Sequence, residues 1–292
     1  MSKYYKPSGS FSPVSFLYFI LVSFIILPIV AMTYIYLVWY IPIIYVNFLV
    51  TLGFGFAVGY VISRFVVKMG KVRNPKVAVI FGLLGGVIAL YFSWAIWVDL
   101  VINAGESYGN SRIGITTSAS KFSQILQLAL QPKLLFDLIK EINEYGTWGL
   151  RSATVSGTFL TIIWIIEALI VLVISFLLPY SKSFAPFCEM DSKWFDEHTL
   201  PAFNFIENTN EMTAHLESAN QNSFETLQRA SNAEKESHSI FTLYSSKKGE
   251  NFLSIENKHA ETNNKGEIDF SDKEFVEYIS INRELRDVLL RK

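Results

Sequence analysis

The sequence predicts an integral membrane fold, mainly α: four transmembrane helices followed by a small C-terminal α+β soluble domain. Three observations carry that expectation. Residues Pro7 to Ser63 contain no Asp, Glu, Lys, Arg or His, a stretch long enough for two bilayer passes at about 20 residues each. The chain is 51% hydrophobic and 17% charged, whereas soluble domains carry about 25% charged residues. Charge is also divided along the chain. Through Ser183 there are 13 basic and 6 acidic residues, and from Phe184 onward 12 basic and 20 acidic. A basic membrane half with an acidic tail argues against nucleic-acid binding and fits a tail that stays off an anionic lipid surface.

Residues 1–13 read as a short cytoplasmic N-terminus bearing Lys3 and Lys6. The apolar run that follows is too long for a signal peptide and lacks a small-residue cleavage pattern, so it reads as a retained anchor. The first span is expected over 14–40. Pro28 removes a backbone donor and clashes with the preceding turn, which predicts a kink near Phe24. Tyr34, Tyr36, Trp39 and Tyr40 crowd the far end and read as an interfacial aromatic belt. Ile41-Pro42 reads as a tight turn.

The second span is expected over 43–63. Gly55 and Gly59 lie four apart on one face, a small-xxx-small spacing that admits another helix closely, within the chain or between copies. A protein partner or a homo-oligomer formed through Gly55 and Gly59 is the expectation. Arg64 to Lys76 holds five basic residues and no acid, which places this loop in the cytoplasm. The third span follows over 77–98, with glycines at 82, 85 and 86, and ends at Trp94, Trp97 and Asp99.

Residues 99–154 are expected as a non-cytoplasmic loop bearing an amphipathic helix over 131–145. Leu134, Leu135, Leu138, Ile139 and Ile142 share one of its faces. It is too short and too charged to span, and reads either as lying on the membrane surface or as packed on its own loop. The fourth span is expected over 155–178, with Pro179 after it. The resulting topology is a cell (inner) membrane protein with both termini cytoplasmic.

Glu167 is the one acid inside a span, and no Lys or Arg lies in any span to pair with it. An ionised carboxylate there costs about 2.5–3.5 kcal/mol on insertion scales. Its neutral form, or a hydrated cavity, is expected, with Thr161, Asn47, Thr51 and Ser93 as candidate hydrogen-bond partners. Two readings stand: a proton- or ion-coupled site, and an acid that hydrogen-bonds to a neighbouring helix and sets the packing.

Residues 184–292 read as a cytoplasmic α+β domain. Cys188 is the single cysteine, so no intramolecular disulfide forms. Cys188, Asp191 and His198 resemble half of a zinc ribbon, but structural zinc takes four ligands and no second thiol pair exists. No metal or cofactor is expected, and a Cys188–His198 nucleophile is an equally weak signal. Glu207 to Arg229 reads as helical, with Met212 and Leu216 on one face. Ser239–Ser245 and Asn251–Glu256 read as paired strands about a Lys247–Glu250 turn, and Asn257–Gly266 as a polar loop. Ser271 and Glu274 form the S-x-x-E of a capping box, before a helix lined by Phe275, Tyr278, Ile279, Leu285 and Leu289.

The chain lacks the P-loop, dinucleotide-binding, H-E-x-x-H and nucleophile-elbow motifs. The functional expectation is therefore a non-catalytic scaffold or complex subunit, in contact with the lipid bilayer, that anchors a cytoplasmic interaction domain. The alternative is a membrane enzyme or transport subunit that uses Glu167.

Overall fold

The apolar blocks of the chain form four long helices in the computed structural model, which describes residues 3–41, 43–104, 121–146, 148–150, 153–218, 224, 227–248, 250–263 and 266–291. The helices cover Val14–Tyr40, Tyr45–Lys68, Pro75–Ile102 and Gly157–Ser183, and all four are long and apolar enough to cross a membrane. The chain divides into two compact units, one of Gly9–Ser183 and one of Phe184–Lys292 together with Met1–Ser8.

In the first helix the turn Val22–Ile26 is π-helical, and the Leu27 N–H reaches back to the Val22 carbonyl. Pro28 cannot donate to Phe24, four residues earlier, and the widened turn accommodates the ring. The disturbance thus falls where the sequence placed it. The Ile41-Pro42 turn lies partly outside the described residues.

The second helix runs five residues past the expected Ser63, through a π-helical stretch over Ile62–Lys68. Val66 and Val67 are fully buried there, so its last turns still have an apolar face to pack while Arg64 stays exposed. The basic loop accordingly shrinks to the residues after Lys68. Asn74 then caps the third helix, its Oδ1 accepting the Lys76 and Val77 N–H groups at 3.1 and 3.3 Å, with Pro75 as the first helical residue. That cap moves the start two residues ahead of the expected Val77.

Residues 99–154 hold more structure than one surface helix. Helices cover Phe122–Leu130 and Pro132–Tyr145, and two short antiparallel strands, β1 (Trp148–Leu150) and β2 (Ala153–Val155), precede the fourth helix. Val155, expected at the head of the fourth span, belongs to β2. Gly157, at φ +63°, marks the change of backbone direction. Leu135 of the Pro132–Tyr145 helix is buried against Ala95, Val98 and Leu128, so that helix packs on the third helix and on its own loop, while Phe136 stays 58% exposed.

Pro179 lies inside the fourth helix, not after it. The Ser175 carbonyl, which Pro179 leaves without its helical donor, faces Gly82, where an added Cβ would sit 2.7 Å from that oxygen. Gly55 and Gly59 face the same helix: a Cβ at Gly55 would meet Val171 at 3.2 Å, and one at Gly59 the Ile174 carbonyl at 2.9 Å. The close approach these glycines permit is therefore made within the chain.

The terminal unit is β-rich. β3 (Phe187–Cys188) pairs with β4 (Lys193–Trp194). A five-stranded antiparallel sheet is built from β5 (Asp196–Thr199), β6 (Phe203–Asn204), β7 (His238–Ser245), β8 (Asn251–Thr262) and β9 (Ile268–Ile281), in the order β5-β7-β8-β9 with β6 also on β7. Phe203, Phe241, Leu243, Leu253, Ile255 and Ile279 form its core, closed by Leu216 of the Thr209–Glu217 helix and by Leu285 and Leu289 of the Arg283–Arg291 helix.

Three expectations for this unit are overturned. Residues 257–262 are strand, not loop. The Ser271 capping box opens no helix, because Ser271 lies in β9 opposite His259, and the last helix starts only at Arg283. The expected helix does not reach Arg229: one helix covers Thr209–Glu217, Phe224 is again helical, and by Gln228–Ala230 the chain is extended, with the Asn204 N–H donating to the Gln228 carbonyl and the Ala230 N–H to the Ala202 carbonyl, both at 2.9 Å.

Candidate functional site

The register of the second helix on the fourth follows from Gly55 against Val171 and Gly59 against Ser175. One turn back along both helices, at four residues per step, brings Thr51 level with Glu167. Thr51 is fully buried, and its Oγ1 donates to the Asn47 carbonyl at 2.9 Å. The Tyr34 hydroxyl of the first helix lies 3.2 Å from the same Oγ1, and its ring stacks on Phe54 with centroids 4.2 Å apart. Glu167 lies within electrostatic reach of the Tyr34 hydroxyl. Tyr34 and Thr51 thus meet between the first and second helices in an apolar interior, and the helix register sets the half-buried Glu167 of the fourth helix beside them. The Asn47 Oδ1, one turn along the second helix, is buried and has no hydrogen-bond partner among the described residues.

None of the four expected partners bonds Glu167 directly among the described residues. Thr161 donates to the Gly157 carbonyl at 3.1 Å and accepts from Asn143 at 3.3 Å. Ser93 donates to the Leu90 carbonyl at 2.7 Å. Thr51 is committed to Asn47 and Tyr34. Sequence reasoning missed Tyr34 as a member of the site and assigned it to the interfacial belt. The signal was its place six residues ahead of Tyr40, about 9 Å inward along a helix.

The cluster offers oxygen chemistry alone. It can hold or pass a proton, and it contains no cationic side chain to form an ion pair. Beside it, Trp164 of the fourth helix packs edge-on against Trp94 and Trp97 at 4.8 and 5.7 Å. Tyr91, Trp94, Leu135, Phe136, Ile139 and Trp164 line an apolar groove of about 230 Å³ between the third helix, the fourth helix and the Pro132–Tyr145 helix.

In the terminal unit Cys188 is buried on β3, and its sulfur accepts the Asp191 N–H at 3.4 Å. His198 sits on the exposed strand β5. No group of three or more His, Cys, Asp or Glu among the described residues is placed to hold a metal ion.

No known protein family, no characterised protein and no solved structure matches this chain.

Proposed function

We propose that the protein is a non-catalytic scaffold or complex subunit of the cell (inner) membrane, whose four helices anchor a cytoplasmic β-rich interaction domain built from both chain ends. The observation that carries this reading is the union of the termini. The Tyr5 N–H donates to the Tyr278 carbonyl at 2.9 Å and the Ser280 N–H to the Lys3 carbonyl at 2.7 Å. Tyr4 adds a hydrogen bond to Glu217 at 3.0 Å. This pairing supports a topology with both ends on one side of the bilayer, as an even number of crossings gives. The basic stretch Arg64–Lys76 favours the cytoplasm as that side. Membrane insertion is supported by the outward faces of the helices, where Phe24, Ile29, Leu49 and Leu169 are each more than half exposed; a water-soluble protein does not leave such a belt bare.

The test is purification of the tagged chain in mild detergent with mass spectrometry of what accompanies it. A stoichiometric protein partner is the expected result, and a chain that purifies alone refutes the scaffold reading.

A second reading rests on the Tyr34–Thr51–Glu167 cluster: a transport or enzymatic subunit that titrates Glu167. Glu167→Gln keeps the size and removes the proton. Under this reading the variant assembles and loses activity; under the scaffold reading it assembles and keeps its partner and full function.

A further inference from the structure

The terminal unit is acidic overall, with 12 basic against 20 acidic residues from Phe184 onward, yet three of its cations gather in one place. A cleft of about 340 Å³ opens between the β7–β8 turn and the Arg283–Arg291 helix. Lys247 enters from the turn, while Arg283 and Arg286, three residues apart, enter from one face of the helix. Arg286 is paired with its neighbour Asp287, Nη2 to Oδ1 at 2.6 Å. Lys247 and Arg283 make no ion pair with a described residue.

The rest of the lining is of another kind. Asp196 of β5, Ser245 at the end of β7 and Asn251 at the start of β8 supply oxygens. Asn251 is only 3% exposed, and its Oδ1 is buried with no hydrogen-bond partner among the described residues. A buried acceptor without a donor destabilises the fold that contains it. Asn251 lines the cleft, and a ligand hydroxyl bound there that uncovers Oδ1 by a small shift of the side chain would supply the donor.

We propose that the cleft binds a phosphorylated polyol. Lys247, Arg283 and Arg286 take the phosphate by charge-assisted hydrogen bonds; Asp196, Ser245 and Asn251 Oδ1 take hydroxyl groups. A volume of about 340 Å³ suits a small ligand, at the lower end of the usual range. The same chemistry is offered by a free sugar or glycerol phosphate and by the phosphoglycerol headgroup of a lipid, so the test has two arms.

In the first arm sn-glycerol 3-phosphate and inorganic phosphate are titrated calorimetrically into the full chain in neutral detergent. In the second the chain is placed in phosphatidylcholine nanodiscs with or without phosphatidylglycerol, and retained lipid is measured by native mass spectrometry. Both are repeated on the double variant Lys247→Gln/Arg283→Gln, two exposed side chains whose loss leaves the core intact.

Glycerol phosphate binding at least tenfold tighter than inorganic phosphate, and weakened at least tenfold in the variant, establishes the site with a soluble ligand. Retention of phosphatidylglycerol alone, lost in the variant, establishes it with a lipid headgroup. Absence of binding in both arms, binding that the variant does not change, or equal affinity for the two soluble probes overturns the proposal.

Discussion

Gly82 lies where the backbones of the third and fourth helices come close, with an added Cβ placed 2.6 Å from the Phe176 Cα and 2.7 Å from the Ser175 carbonyl. Neither neighbour is a flexible side-chain end, so Gly82→Ala must push the helices apart. We expect a loss of about 1–3 kcal/mol, read as a lower melting temperature in detergent, while Gly53→Ala, which meets nothing within 4 Å, is neutral by the same measurement. Glu274 illustrates a different penalty. Burial, then Glu277, and to a lesser degree Glu256 hold its carboxyl above the usual range, while a hydrogen bond with Ser254 opposes them, and Glu256 stands directly opposite on β8. A raised value in the fold means that Glu274 favours folding when protonated and that this contribution is lost as pH rises through the folded value. Glu274→Gln should therefore raise stability at pH 7 by about 0.5 kcal/mol. The gain should fade as melts are taken down to about pH 3, well below the ordinary glutamate value, where the carboxyl is protonated in both states.

The long strand β9 owes its misreading to bulges. Its pairing with β8 shifts register between Leu253 and Ile255 and again between Ile255 and Glu256. Tyr278 takes φ +51°, and its N–H turns to the Ser254 Oγ at 3.0 Å. An inserted residue puts the buried pair Val276 and Ile279 three apart, which imitates helical spacing in a strand. The same bulge presents the Tyr278 carbonyl to Tyr5. Tyr5→Pro removes that donor, and with it the phenol that accepts the Phe187 N–H at 3.2 Å. Hydrogen exchange at the Ser280 amide, bonded to the Lys3 carbonyl, should accelerate as the N-terminal segment detaches.

A second element-level dependence is the closed triangle that ties β7 and β8 to the chain at Ile206. Ser239 Oγ donates to Asn257 Oδ1 at 2.6 Å, Asn257 Nδ2 to the Ile206 carbonyl at 2.8 Å, and the Ile206 N–H to Ser239 Oγ at 3.0 Å. Asn257→Ala strands a buried hydroxyl and a carbonyl, and chemical denaturation should report a loss of about 2 kcal/mol.

For the chain as a whole, the joined termini make a topological prediction. On a Cys188→Ser background, cysteines introduced at Lys6 and Lys248 should react with an impermeant maleimide from the same face of the membrane, and that face should be the cytoplasmic one. Labelling from opposite faces would contradict the pairing of Lys3–Tyr5 with β9.

The four long helices were legible in the sequence by itself, as were the disturbed turn at Phe24 and the β7–β8 pairing. Each depends on composition or spacing over a short window: about 20 apolar residues to span, one missing donor at Pro28, two alternating runs around a turn. The helix ends were less legible, because Val66 and Val67 continue the second helix by burial that no local signal reports. Only the tertiary structure decided which face of Gly55 and Gly59 is occupied, that Tyr34 turns inward to Thr51 near Glu167, that β9 is a strand, and that Lys3–Tyr5 completes the sheet. In each case the partner lies far away in the chain. Packing and hydrogen-bond pairing between distant residues then outweigh the local preference that a sequence displays.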